Sequence, residues 1–441
     1  MVAWKTYLYQ YVSYFGGEML RTGRSLFFGV ALALLVASCG TSTHPVSHST
    51  TTSRRKEAAK TVLAGPKWQV VLKSNQFAYT SLSCPTANRC IAAGYGPLSN
   101  YGLDANPADM PYPEFGVIST TQDGGGHWST TRMAHPIDAV ACMSEVRCIA
   151  VEQGNLYNAQ IGWSTWVTTD GGNTWTKEPN PGPGDVIALT CPASNHCVAI
   201  SQVPVRGVGQ IPPSSTSLGW VSNDGGASWV RSSNMNIQFP DAVSCPSPSW
   251  CMVVGAEPFM EQITGNPVQV SQDGGATWQT LPTSAWPPTV TGGRLMAVSC
   301  VAVDKCTVGG AIGSGASTWL TTTNGGLSWQ EHVIDDPSAV GVGALDCPRP
   351  GLCVGLVDFE SKYRLTAPPG LGEELVYLQG PSVLLARISP SLAPFGGYWS
   401  YGPGISCPAY PRCYAEMSGD MPGAPSVGTS GIKDWYILRS E

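Results

Sequence analysis

The stretch DAVSCPSPSWCMVVG, residues 241 to 255, sets two short apolar runs around a proline- and serine-rich turn, with Cys245 closing the first run and Cys251 opening the second. Two apolar strands joined by such a turn read as a β-hairpin. Facing residues of an antiparallel pair lie about 4.5 to 5.5 Å apart at Cα, a separation that suits a disulfide. The same spacing, five residues between partners, recurs along the chain as Cys84/Cys90, Cys142/Cys148, Cys191/Cys197, Cys245/Cys251, Cys300/Cys306, Cys347/Cys353 and Cys407/Cys413. Successive first cysteines are 58, 49, 54, 55, 47 and 60 residues apart. A period near 50 residues is the length of one propeller blade. Seven pairs therefore predict seven blades, each with its disulfide at the turn between two strands. Zinc is the rival reading of paired cysteines, but these pairs lack the two-residue ligand spacing and are not coupled into fours. No metal and no cofactor is expected.

A second motif keeps the same period. TTQDGGGHW (120 to 128), VTTDGGNTW (167 to 175), VSNDGGASW (221 to 229), VSQDGGATW (270 to 278) and TTTNGGLSW (321 to 329) place Asp123, Asp170, Asp224, Asp273 and Asn324 at intervals of 47, 54, 49 and 51 residues. Each is followed by a glycine pair and then by Trp128, Trp175, Trp229, Trp278 or Trp329. A short acidic side chain accepts hydrogen bonds from turn amides, glycine tolerates positive φ, and the indole returns along the next strand to pack between blades. A residue used five times over reads as a turn-builder rather than a catalyst.

The motif resembles the Asp-box, or BNR, repeat of sialidase-like propellers. It covers residues 119 to 330, and the cysteine hairpins carry the same period over 65 to 441. The expected fold is all-β: a seven-bladed β-propeller of four-stranded antiparallel blades, with one disulfide hairpin in each. A propeller must join its ends, because an open edge strand exposes unpaired backbone groups. The run KWQVVLKSN (67 to 75) precedes the first cysteine pair as an outermost strand does, and the last pair is followed only by GIKDWYILRS (431 to 440). The N-terminal strand is expected to complete the last blade. Blades six and seven lack the acidic turn and carry LVYLQGPSVLLARIS (375 to 389) and the terminal strand instead.

The N-terminus gives the cellular address. Arg21 and Arg24 precede the apolar run LFFGVALALLVA (26 to 37), too short to span a bilayer and built like a secretory signal. Val36-Ala37-Ser38-Cys39 resembles the lipobox of bacterial lipoproteins, which implies a signal peptide over 1 to 38, a lipid on Cys39 and an extracytoplasmic protein tied to a membrane. A cleaved signal followed by an unrelated cysteine is the alternative. Met19 starts this signal more naturally than Met1. Residues 39 to 64 are polar and rich in Ser and Thr, and read as a flexible tether.

Charged residues make up 12% of the chain and the formal net charge is -6. Neither a nucleic-acid groove nor a polybasic membrane patch is expected, since each needs clustered Lys and Arg. Lettering the strands of a blade A to D from the channel outward puts the cysteine turns and the acidic turns on one face. The B to C loops and the D to A connections then share the other face, where they vary freely. These loops include residues 95 to 116, 153 to 163, 202 to 220, 256 to 267 and 358 to 374. They carry Tyr101, Tyr112, Phe115, Tyr157, Phe259 and Tyr363 beside Asp104, Asp109, Glu114, Glu261 and Arg364. Rings interleaved with polar groups suit a sugar or peptide surface; the alternative is that they pack only their own loops. Innermost strands begin at this face with Asp138, Asp185, Asp241 and Arg294, which converge on the channel mouth if they form a ligand site. Solvation alone is the other account of charged strand starts.

The resemblance also invites a hydrolase reading. Sialidases carry an Arg-Ile-Pro motif before their first Asp-box, and none precedes Asp123; Arg387-Ile388-Ser389 lies in the sixth blade, and sialidases have six blades. Arg89, Arg147 and Arg412 fall in cysteine turns, on the wrong face for a substrate carboxylate. Xyloglucanase-like enzymes use two carboxylates across a cleft, and such a pair is the second reading. The first is a non-catalytic propeller that binds a protein or glycan, similar to seven-bladed photosystem assembly factors and sortilin-type receptors. A purely structural envelope protein is third.

Overall fold

A computed structural model describes residues 66–96, 115–153, 162–179, 181–204, 215–237, 239–256, 267–287, 293–312, 316–334, 339–359, 373–380, 382–389, 404–419 and 434–441. The segments expected to be signal and tether, Cys39 and most of the residues expected to form B to C loops lie outside them. The described strands form seven sheets around a channel, one per cysteine pair and antiparallel but for one outer pairing, as a seven-bladed β-propeller. Innermost strands are Ala78–Ser83, Ile137–Cys142, Asp185–Ala193, Phe239–Ser247, Gly293–Ala302, Ala339–Arg349 and Ile405–Ala409.

All seven pairs are disulfides, each joining strands A and B of one blade: Cys84–Cys90, Cys142–Cys148, Cys191–Cys197, Cys245–Cys251, Cys300–Cys306, Cys347–Cys353 and Cys407–Cys413. Their Cα atoms are 3.9 to 4.1 Å apart, closer than the expected 4.5 to 5.5 Å. The cysteines face one another directly, as Cys300 and Cys306 do in register, so the bridge draws the ladder in. Each closes a loop of about seven residues, which in the chain-entropy model is worth roughly 2 kcal/mol.

The seven bridges form as expected, and they also belong to the core, a feature the hairpin pattern does not specify. The second cysteine of every pair, Cys90, Cys148, Cys197, Cys251, Cys306, Cys353 and Cys413, is at most 3% exposed. Each of these packs in the apolar wedge between blades: Cys90 beside Leu82 and Tyr414, Cys148 beside Ile91, Cys197 beside Ile149, Cys353 beside Ala297 and Cys413 beside Leu352. Strand B is covered by neighbouring blades on both faces, so its first residue lies in the core although the turn before it reaches solvent. The sulfurs therefore serve as core side chains as well as links, and no thiol chemistry is offered to a ligand.

The N-terminal strand Lys67–Ser74 closes the ring. It pairs antiparallel with Asp434–Ser440, from Trp68 opposite Ser440 to Ser74 opposite Trp435, and so becomes the outer strand of blade seven. Trp68 is fully buried and its indole N–H donates to the Tyr377 hydroxyl of blade six at 2.8 Å. One expectation is corrected at this edge. Blade seven has five strands, because Arg387–Ser389 pairs in parallel with Lys67–Ser74 instead of extending blade six. The short blade-six edge strand, Ser382–Leu385, ends before it, and the chain uses its next residues to cover an edge that would otherwise stay open.

The core is a ring of wedges, one per seam between neighbouring blades. Ile91, Ile118 and Met133 of blade one meet Ile137, Val140 and Ala150 of blade two, and equivalent sets fill the other seams. The indoles of the glycine-pair turns sit in these wedges: Trp175 packs with blade one, Trp278 with blade three and Trp329 with blade four.

The turns themselves repeat one geometry. Asp170 Oδ1 accepts from Thr168 Oγ1 at 2.8 Å and from the Thr174 amide at 2.9 Å, while the Gly172 amide donates to Thr168 Oγ1 at 2.9 Å. Asp123, Asp224, Asp273 and Asn324 accept from the equivalent hydroxyl and amide. Hydrogen bonds from the Thr174 hydroxyl and amide hold the Asp170 carboxyl down at about 2. Both glycines take positive φ, 73° and 91° at Gly171 and Gly172. A Cβ on Gly172 would also lie 2.7 Å from Thr120 Cγ2 of blade one, so this turn needs glycine for space as well as for conformation.

Two further sets of bonds stitch blade to blade on this face. The side chain just before the second cysteine reaches the next blade: Arg89 to the Glu145 carbonyl at 2.7 Å, Arg147 to that of Asp224 at 2.7 Å, and His196 Nε2 to that of Gly274 at 2.9 Å. In five blades the residue just before the first cysteine accepts from the first cysteine amide of the following blade. Ser83 takes Cys142 at 3.0 Å, Ser244 takes Cys300 at 3.0 Å, Ser299 takes Cys347 at 3.1 Å, Asp346 takes Cys407 at 2.7 Å and Ser406 takes Cys84 at 2.9 Å. The last of these crosses the closure seam. Blade two has Ala141 in this place, which has no acceptor to offer.

Candidate functional site

The opposite end of the channel wall is built differently. The innermost strands of blades one to six each carry a β-bulge near their start, and the extra residue stands four positions before the first cysteine: Thr80, Asp138, Ile187, Asp241, Met296 and Gly343. A bulge adds local twist and re-aims its side chain. Here it brings the bulge residue of one blade toward the strand start of the next. Thr80 Oγ1, for instance, donates to the Ile137 carbonyl of blade two at 3.1 Å.

The four charged residues expected at the channel mouth are sorted into two pairs by this geometry. In the seam between blades four and five, Arg294 Nε donates to Asp241 Oδ2 at 2.8 Å, and its Nη2 donates to Oδ1, a two-point guanidinium–carboxylate pair. Burial pushes the Asp241 carboxyl above its ordinary value, and the Arg294 charge and hydrogen bond act against that rise. In the seam between blades two and three, Asp138 and Asp185 take the corresponding places. Both are more than nine-tenths buried, at 8% and 6% exposure. Burial, and then the neighbouring charge of Asp185, hold the Asp138 carboxyl well above the usual carboxylate range. Asp138 Oδ2 meets no hydrogen-bond donor among the described residues.

Tyr95, at the end of strand B of blade one, completes this corner; burial and the nearby Asp138 push its phenol up to about 12. Further out, Glu152 ends strand B of blade two. Its carboxylate accepts from Trp166 Nε1 at 2.7 Å and from Lys177 Nζ at 2.9 and 3.0 Å, tying strands B, C and D together at the loop end.

Tyr101 and Tyr112, with Tyr157, Phe259 and Tyr363, lie outside the described residues. Phe115 is described, and its ring is covered by the Arg132 guanidinium at 3.6 Å and packs edge-on against Phe77. Tyr95, Glu152 and the seam contacts are absent from the sequence reading. Their signal was present: aligned on the first cysteine, Asp138 and Asp241 both stand at minus four, and Asp185 and Arg294 both at minus six. Among the described residues no group of three or more His, Cys, Asp or Glu converges as metal donors.

No family model and no curated protein sequence matches the chain. Solved structures do. YCF48 bound to a D1 peptide aligns over 85% of this chain and 97% of its own, with a TM-score of 0.51 and 14% identity. YCF48 from Cyanidioschyzon merolae aligns over 85% and 98%, at 0.51 and 12%. The GH74 xyloglucanase from Xanthomonas campestris aligns over 84% of this chain but 55% of its own length, at 0.51 and 12%. At such identities the likeness is one of fold. That fold is shared by a protein solved with a peptide and by a glycoside hydrolase.

Proposed function

We propose that this chain is an exported propeller of the Asp-box, sialidase-like kind, held to a bacterial membrane by a lipid on Cys39, that binds a protein or glycan on its loop-rich face without catalysing a reaction. The observation that carries the reading is the contrast between the two faces. On one, turn carboxylates, hydroxyls and cations are consumed by bonds within and between blades. On the other, Asp138, Asp185, Asp241 and Arg294 stand near the starts of the innermost strands with Tyr95 at the end of strand B, and the B to C segments of sequence on this side differ in every blade. Polar groups kept buried at the mouth of a channel, at some cost in solvation, are the mark of a recognition site. Seven disulfides support export, since such bonds persist in oxidising compartments.

Affinity capture with the lipid-free propeller, beside a glycan array, tests this reading. A ligand should be retained by variants altered in the cysteine turns and lost when residues 97 to 114 are shortened. Recovery of no ligand from either screen would end it.

A second reading, hydrolysis of a glycan, draws support from the Asp138–Asp185 pair. An acid whose carboxyl is pushed above its ordinary range beside a second carboxyl is one half of a glycosidase site. Against it, both groups share one buried corner at neighbouring strand starts. Release of reducing ends from xyloglucan or β-glucans, abolished by Asp138→Asn, would establish it.

A further inference from the structure

The repeat contains an internal control for what the Asp138–Asp185 corner holds. Asp241 and Asp138 occupy the same bulge position in blades four and two, and Arg294 and Asp185 the same strand-start position in blades five and three. In the first seam the space in front of the bulge carboxylate is filled by a guanidinium, bound at two points. In the second seam the chain supplies another carboxyl in place of that guanidinium. Asp138 Oδ2 is left with no donor among the described residues in a setting more than nine-tenths buried. A buried carboxyl oxygen without a donor is costly, and folded proteins rarely keep one without a use.

We propose that Asp138 and Asp185 form a receptor for the basic side chain, guanidinium or ammonium, of a protein partner that docks on the loop-rich face. This deepens the binding reading and rests on it, choosing a protein over a neutral glycan. The ligand's cation takes the place that Arg294 takes in the sister seam, and a planar guanidinium suits two carboxyls better than a point charge does, because it donates along two edges. Calcium is a poorer match: it takes six to eight oxygens, and no third acidic ligand converges here among the described residues. A net charge of -6 favours approach of a basic partner over an acidic one.

The test uses the full chain in detergent and two probes of equal shape, capped arginine and capped citrulline, titrated by NMR, with calcium chloride as a third arm. Capped arginine should bind, and citrulline, which lacks the charge, should bind at least tenfold more weakly. Asp185→Arg places the chain's own guanidinium in the corner and should abolish arginine binding while the fold and thermal midpoint are kept. Should that variant misfold, Asp138→Asn carries the same test, with at least a tenfold loss. Equal binding of citrulline, unchanged binding by Asp185→Arg, saturation by calcium alone, or no arginine binding up to the solubility limit would overturn the proposal. A partner captured equally by wild type and Asp185→Arg would sink this inference and spare the binding reading, whereas absence of any partner or glycan would sink that reading.

Discussion

The seam between blades four and five and the seam between blades two and three are built from the same parts and end in opposite states. Both join innermost strands through a bulge four residues before a cysteine. In the first, Ser244 accepts from the Cys300 amide and Asp241 holds Arg294, so its polar groups answer one another. In the second, Ala141 stands where the serine would be and Asp185 where the arginine would be, and the bulge carboxyl faces another acid. A repeat fold shows, in its regular seams, what stability requires. Departures from its own consensus then point to a different task, because local rules are broken where function asks for it.

The largest effect is expected from breaking the regular seam. Arg294→Met leaves the Asp241 carboxylate, 15% exposed, without its partner. Losing one member of a fully buried pair costs about 3 to 5 kcal/mol, and the 36% exposure of Arg294 brings the expectation to about 2 kcal/mol at pH 7. Urea unfolding with the disulfides intact measures it, and Asp241→Asn in the same chain should recover much of the loss by coupling. A cost below ~0.5 kcal/mol would mean that the pair is ornamental and that the two seams do not differ in the way argued.

A smaller effect separates the seams at the serine position. Ser244→Ala removes the acceptor of the Cys300 amide and should cost about 1 to 2 kcal/mol, the penalty of a buried donor left unmet. Ala141→Ser, its mirror, should gain at most about 1 kcal/mol. Thermal midpoints of the two variants against wild type decide it, and a loss at both positions would show that the seams are not interchangeable in shape.

Much of this architecture was legible in the sequence, for a reason that also sets the limit. Cysteines five residues apart and glycine-pair turns report local hairpins, so the blade count, the disulfide pairing and the closing strand follow from short-range pattern. The burial of Cys90, Cys148, Cys197, Cys353 and Cys413 did not follow, because it comes from the blades packed on either side and not from the hairpin itself. Arg387–Ser389 was misassigned because a strand of three residues has no pattern of its own; only the edge it covers, more than 300 residues away, decides its sheet. Asp138, Asp185, Asp241 and Arg294 lie near the starts of innermost strands, but their pairing was invisible in the sequence. It depends on a bulge shifting register by one residue, and a one-residue shift reverses where a side chain points. Thus Asp241 with Arg294, and Asp138 with Asp185, meet across 53 and 47 residues of chain.

The finest distinction between the seams lies in pH. The Asp138 carboxyl is held above its unfolded value of about 3.9 by burial and then by Asp185. Between the unfolded and folded values the native chain keeps a proton that the unfolded chain has released, so stability falls as pH rises through that window. Asp138→Asn has no proton to lose. Wild type and variant should therefore coincide near pH 3 and separate above about pH 4, with the variant more stable by about 1 kcal/mol at pH 7, or about 2 °C in thermal midpoint. Among the described residues the groups facing Asp138 are Asp185 and Tyr95; the phenol, pushed up to about 12, stays neutral throughout and adds no slope. Asp185→Asn should lower the Asp138 carboxyl and flatten the divergence. Asp241→Asn forfeits the attraction of Arg294 along with the buried charge, and so should gain nothing at pH 7. Parallel pH profiles for wild type and Asp138→Asn would show that the second seam stores no unmet carboxyl, and the contrast with the first would then be one of sequence alone.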